Sequence, residues 1–164
     1  MTLTPAPIAP QARIGHVHLR VADLDRMLAF YCGVLGFELQ QRLGDEAAFV
    51  SAGGYHHHIA FNTWGTRGAP PAPEGTTGLF HLAILYPDRA ALAGALGRLD
   101  AAGWPLTGAS DHGVSEALYL DDPEGNGVEL YRDRAPEAWP RDPSGGLALT
   151  TRRLDLEDLR SAAG

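Results

Sequence analysis

The sequence predicts an α+β fold in which two paired β-α-β-β-β modules form an incomplete barrel, or cup, around a metal site. Three observations predict it. "IGHVHLRV" (14–21) and "LFHLAILY" (79–86) are apolar segments that each lead into a helical pattern opened by an aspartate. Both helical patterns end in Gly followed by an aromatic residue, Gly36-Phe37 and Gly103-Trp104. In each half a histidine stands seven positions before the helix-opening aspartate, His16 before Asp23 and His81 before Asp88. Matched spacing of this kind marks a duplicated unit. One such unit leaves a sheet face uncovered, and pairing with a second copy buries it. One chain holds both copies and so can build a cup by itself.

Residues 1–13, rich in Pro and Ala, read as an extended arm. The first strand spans 14–21, and Asp23 is the N-cap of the helix "LDRMLAFYCGVLG". "FELQQRL", "EAAFVSA" and "HHHIAFNTW" follow as strands and complete module one, about 14–64. "GTRGAPPAPEGTTG" is a Gly- and Pro-dense linker, about 65–77. Module two, about 78–132, runs from the strand at 79–86 through the helix "PDRAALAGALGRLDAAG" to the strands "WPLTGAS", "EALYLDD" and "VELYRD". The Asn-Gly pair in "PEGNG" predicts the hairpin turn between the last two strands. The tail, 133–164, is Pro-rich and then weakly helical, and is expected to wrap the surface or a partner chain. Residues 1–164 are read as one domain.

Composition narrows the function classes. The 164 residues are 45% hydrophobic and 20% charged, with a formal net charge of −7. That is ordinary for a globular protein and shows none of the basic patches of a nucleic-acid binder. No apolar run approaches the ~20 residues of a membrane span. The N-terminus lacks a basic segment followed by an apolar one, so no signal peptide is expected and a cytoplasmic location is. A single cysteine, Cys32, excludes an internal disulfide and a Cys-rich zinc site; it reads as a small buried hydrophobe. Seven histidines in an acidic chain are the first sign of chemistry.

Alternation sorts those histidines. A strand sends successive side chains to opposite faces. On that basis His56 and His58 share one face of "HHHIAFNTW" and His57 the other, so the three cannot meet one ion. In the remaining strands one face is packing, and the other carries His16, His81, Tyr119 and Glu129, with His58. Two imidazoles and a carboxylate make a two-His-one-carboxylate set with open positions, suited to a divalent first-row metal. Any one of these residues alone would be an ordinary surface group. The equivalent places of His16 and His81 in the duplicated unit argue for bringing them together as ligands with Glu129.

"HVHLRVADLDRMLAFYCGVLGFEL", "FHLAIL" and above all "DHGVSEALYLDDPEGNGVELYRD" resemble the vicinal oxygen chelate superfamily over about residues 14–134. The superfamily includes glyoxalase I, bleomycin and fosfomycin resistance proteins and extradiol ring-cleavage dioxygenases. The last string is most similar to catechol 2,3-dioxygenase-like proteins. The resemblance puts metal ligands at His16, His81 and Glu129, a substrate-side tyrosine at Tyr119 and a loop histidine at His112. It implies Fe(II), with Mn, Ni, Co or Zn as other ions, and a catechol-like diol cleaved beside its oxygens with O2. A neutral-range acid-base group is needed, and His58, then His57, is the candidate.

The same resemblance leaves alternatives open. Glyoxalase I uses a fourth ligand, a carboxylate from module one; strand order and face put His58 at that place. No Asp or Glu lies between Glu46 and Glu74. A metal-dependent lyase or isomerase, and a metal-free sequestering protein, are the other readings. Two modules can work in a single chain, in a homodimer, which is expected, or by exchange between chains.

Overall fold

The computed structural model describes residues 6–163. Residues 1–5 of the predicted arm lie outside that range, and residues 6–13 are exposed and lack regular structure apart from a turn. Module one runs β1 (Val17–Arg20), α1 (Leu24–Leu28), β2 (Glu38–Leu43), β3 (Ala47–Ser51) and β4 (Ile59–Asn62). Module two runs β5 (Leu82–Tyr86), α2 (Arg89–Ala102), β6 (Gly108–Asp111), β7 (Ser115–Asp121) and β8 (Gly127–Asp133). The tail adds β9 (Arg152–Arg153) and α3 (Leu156–Arg160). No helix among the described residues is long and apolar enough to cross a membrane.

Both helices start as their sequences dictate. The Asp23 side chain accepts from the Arg26 amide, and the Asp88 side chain from the Ala91 amide. α2 stops at Gly103 in the left-handed conformation, φ 62°. α1 departs from expectation: it passes into a π-helical turn, Ala29–Val34, in which the Leu35 amide donates to the Phe30 carbonyl. Phe30 and the adjacent Tyr31 are both buried there.

The modules form two mixed sheets, in the orders β1-β4-β3-β2 and β5-β8-β7-β6-β9, and no closed barrel. In each, the first strand lies parallel to the last and stands at the sheet's edge. One face of each sheet packs on helices. Leu19, Val50, Ile59 and Phe61 do so in module one, and Leu82, Leu118, Val128 and Leu130 in module two. The modules meet on this helical side. The Phe30 and Trp104 rings lie 4.5 Å apart, and the Tyr31 hydroxyl donates to buried Asp122 at 3.1 Å. Glu124 accepts from the amides of Ala22 and Asp23 at the approach to α1. The other face of each sheet is turned away from this joint.

Three expectations change. The strands around the candidate histidines are shorter than predicted, so His16 and His81 each lie one residue before their strand. The triple histidine is not in a strand at all: Gly53 and Gly54 turn the chain at φ 65° and 74°, and β4 begins only at Ile59. The β7–β8 connection is no two-residue Asn-Gly turn. Asp121 pairs with Gly127, and between them the Asp122 carboxylate accepts from the amides of Glu124 and Asn126 and from the Asn126 side chain. The left-handed residue is Gly125, φ 81°.

The tail closes on module two. β9 extends its sheet beside β6, and α3 buries Leu159 against α2. A charged clasp holds the junction. Buried Glu116 accepts from Arg89, Arg132 and Arg134; Arg89 also bonds Asp158 and Arg134 bonds Asp111.

Candidate active site

Module two gathers four of the predicted residues into one array. β5 and β8 are in register with Leu82 opposite Val128 and Ala83 opposite Glu129, which sets His81 beside the start of β8. His81 Nε2 lies 2.9 Å from Glu129 Oε2. Glu129 Oε1 accepts from the Tyr119 hydroxyl at 3.1 Å, because Tyr119 stands directly opposite Glu129 on β7. His112 Nε2 lies 2.7 Å from the same hydroxyl, and its Nδ1 donates to the Thr150 carbonyl at 3.0 Å. Thr150, in the tail, had no sequence signal; only the return of the chain past the β6–β7 turn places its carbonyl here.

The array can be counted in protons. A carbonyl only accepts, so His112 Nδ1 carries a hydrogen. If Nε2 is bare, the single phenolic proton of Tyr119 must choose between His112 and Glu129. If Nε2 also carries a proton, every contact from Thr150 to Glu129 has its donor. Burial, then the Glu129 carboxylate, pushes the Tyr119 hydroxyl up to about 12. Tyr119 therefore remains a phenol at neutral pH.

Gly127 makes the close approach of β8 to His81 possible. A Cβ there would sit 2.2 Å from the Phe80 carbonyl oxygen and 3.1 Å from the His81 Cβ. This too was missed in the sequence, where Gly127 was read as half of a turn.

Module one holds the other histidines differently from expectation. His57 was placed on the packing face, but its ring lies 4.4 Å from that of His16 and 5.4 Å from that of Phe49. His56 Nδ1 is 2.7 Å from His57 Nδ1. Burial first, and then the neighbouring His16, His56, His18 and His58, hold the His57 imidazole below its ordinary pKa. His58 instead stacks on Tyr55 at 4.7 Å, with its Nδ1 3.3 Å from the Ala52 amide. A loop, unlike a strand, has no obligatory alternation, and this is why the face assignment failed. His18 bonds Asn62 on the open face of β1 and β4.

The register also corrects the place given to His58. Val17 pairs with Ile59 as Leu82 pairs with Val128, and His18 with Ala60 as Ala83 with Glu129. The module-one counterpart of Glu129 is thus Ala60, a buried methyl side chain with no ligating atom.

Donor chemistry and geometry agree only in part on a metal. The imidazole of His81 and the carboxylate of Glu129 converge, and His81 Nδ1 is buried with no hydrogen-bond partner among the described residues. Yet no group of three or more His, Cys, Asp and Glu among the described residues is gathered as a metal would require. His16 does not join His81 and Glu129. Within one chain the expected ligand set is therefore incomplete.

Residues 13–130 match the model of the Glyoxalase/Bleomycin resistance protein/Dioxygenase superfamily. The chain belongs to this superfamily. It is 40% identical over 158 residues to a catechol-2,3-dioxygenase of Bacillus subtilis, covering 96% of the chain and 54% of that protein. It is 31% identical over 133 residues to biphenyl-2,3-diol 1,2-dioxygenase 3 of Rhodococcus globerulus, covering 81% and 66%. The chain thus spans about half to two thirds of the length of these relatives. Among solved structures, a glyoxalase/dioxygenase from Nostoc punctiforme superposes with a TM-score of 0.62 at 19% identity, over 80% of this chain and 99% of that one. A lactoylglutathione lyase from Agrobacterium tumefaciens gives 0.59 at 23% identity, over 76% and 96%. These two likenesses support the fold.

Proposed function

We propose that the protein is an extradiol-type ring-cleavage dioxygenase that acts on a catechol-like vicinal diol with O2 and uses Fe(II), as one domain in the cytoplasm. The observation that carries this reading is the continuous array His81–Glu129–Tyr119–His112 on the open face of module two. The similarity to two diol dioxygenases supports it. An ion held by His81, Glu129 and His16 would supply a centre at which two vicinal oxygens and O2 meet. The protein's own contribution is proton placement. Tyr119 is a fixed phenolic donor beside Glu129, and His112 Nε2, oriented by Thr150, gives or takes one proton at the Tyr119 oxygen. In module one, His57 beside His16 takes over the acid-base candidacy first given to His58.

Ala60 bears on the alternative, a glyoxalase I-like lyase with four protein ligands. The place equivalent to Glu129 offers no donor, which favours a site with positions open to substrate. The test is anaerobic loading with Fe(II), then a panel of catechols with oxygen-electrode and absorbance readouts. Oxygen uptake with a new near-ultraviolet or visible band supports the reading. No uptake across the panel, in protein shown to hold its metal, overturns it.

A further inference from the structure

We propose that Arg153 reads the charge of the substrate: the diol ring carries a short side chain ending in a carboxylate, and that carboxylate pairs with the Arg153 guanidinium. This rests on the diol-dioxygenase reading above and names the class of diol.

The ladder places Arg153 on the face of the site. Glu129 pairs with Tyr119, and Tyr119 with Gly108 on β6. Two residues along β6, Ser110 pairs with Ala117 on one side and with Arg153 of β9 on the other. Residues opposite one another in a ladder share a face. Arg153 therefore stands on the open face with Tyr119 and Glu129, one row along. Arg152, opposite Asp111, stands on the other. Leu154 agrees with this assignment: it is buried in the core on the helical side, and its amide meets the Ala109 carbonyl at 3.4 Å.

The face holds no other arginine. The chain has thirteen arginines and no lysine. Among the described residues of β5–β9 the arginines are Arg132, Arg152 and Arg153, and only Arg153 falls on the open face. Arg132 binds Glu116 on the helical side, together with Arg89 and Arg134. Arg153 is exposed and makes no ion pair with a described carboxylate. Its planar fork of donors matches the two oxygens of a carboxylate.

Distance sets the size of the ligand. From Glu129 to Arg153 the sheet runs three strand spacings across and two residues along, about 16 Å between Cα atoms. The two side chains project from the ends of this span and leave the length of a single ring with a chain of about one to three carbons. Between the ends β6 presents a glycine and a serine, Gly108 and Ser110, which keep the path low. The tail fixes Arg153 relative to the proton array. The Thr150 carbonyl accepts from His112 Nδ1 at 3.0 Å, and the Thr151 hydroxyl lies 3.3 Å from the same nitrogen. Arg153 follows two residues later, with buried Leu154 as its anchor.

The probes are 3-(3,4-dihydroxyphenyl)propionate and its methyl ester, which share ring and chain and differ in charge. Calorimetry on the cobalt(II)-loaded full chain without oxygen measures binding; oxygen uptake by the iron-loaded chain measures turnover. The acid is expected to bind the wild type about 10-fold more tightly than the ester, the size of one hydrogen bond to a charged group. Arg153→Ala, at an exposed position, is expected to keep the circular dichroism of the fold, abolish the preference and leave ester binding unchanged. Arg153→Lys is expected to restore part of the preference, and Arg152→Ala to retain all of it. In turnover the loss is expected in KM for the acid rather than in kcat. A wild type without the preference, or Arg153→Ala that keeps it, overturns the proposal. Loss of the preference in Arg152→Ala overturns it too, because that residue stands on the other face. A preference that Arg153→Ala removes, without oxygen uptake from either probe, sinks the ring-cleavage reading alone. Equal oxygen uptake from acid and ester, unaltered by Arg153→Ala, sinks this proposal alone.

Discussion

Replacing Gly127 by Ala adds one methyl group at the point where β8 passes His81. The added Cβ would lie 2.2 Å from the Phe80 carbonyl oxygen and 3.1 Å from the His81 Cβ. Ordinary carbon–oxygen contacts are more than 3 Å, so backbone must move by about 1 Å, and overpacking of this kind costs about 1–3 kcal/mol. For a chain of this length that corresponds to a fall in melting temperature of about 4–8 °C at mid-range. The displaced segment carries His81, which now sits 2.9 Å from Glu129. Misplacing a site residue by about 1 Å can cost about 10²-fold in rate. Thermal unfolding followed by circular dichroism, cobalt(II) titration and turnover measure the three effects together. Gly127→Ala protein that melts within about 1 °C of wild type, with unchanged cobalt affinity, would refute the claim that glycine is required by the approach of β8 to His81.

The charged clasp predicts that Glu116→Gln loses about 3 kcal/mol in urea unfolding, because three guanidinium groups around a buried carboxylate lose their counter-charge. Arg134, first by hydrogen bonding, lowers the Asp111 pKa from 3.8 to about 2. Its stabilisation is complete above the unfolded value and disappears as pH falls from about 4 to about 2; after solvent screening it amounts to about 1–2 kcal/mol. Asp111→Asn should remove that acid-side slope, as measured by unfolding at several pH values. Tyr119→Phe should leave the melting temperature nearly unchanged and reduce ring-cleavage turnover by about 10²-fold, the lower range for a lost proton-transfer partner. Alkaline absorbance titration should show one fewer phenol titrating near 12 in that variant. His57→Ala should disturb metal affinity or turnover more than His58→Ala, since His57 is the one lying against His16.

Local chemistry was legible in the sequence wherever a residue type answers a backbone need. Asp23 and Asp88 cap helices, Gly103 adopts φ 62°, and the equivalent spacing of His16 and His81 marks two copies of one module. The α+β class followed from those signals, and the superfamily from the resemblance carried by longer strings such as "DHGVSEALYLDDPEGNGVELYRD". Glu129 and Tyr119 share a face because β7 and β8 are regular, whereas His81 precedes β5 and is placed beside them by the β5–β8 register. The triple histidine was misread because the run precedes its strand. Gly53 and Gly54 mark that turn, yet their positive φ angles are a property of the folded backbone. His58 was matched with Glu129 by face alone, whereas the ladder pairs fix Ala60. How one module lies against the other has no periodic signature. It depends on contacts such as Tyr31 with Asp122, ninety-one residues apart, and so the separation of His16 from Glu129 was invisible.

Ala60 gives the duplicated architecture a consequence for engineering. The twin scaffolds differ at matched positions by a methyl group in one and a carboxylate in the other. Writing an acid at residue 60 would restore the internal mirror image and offer an ion a fourth anchor. Such an acid would have to share its space with the His57 imidazole, lodged against Phe49, the cross-strand neighbour of Ala60. Under the metal-dependent reading, trimming His57 while installing Glu at 60 would add a carboxylate donor to the open face of β4.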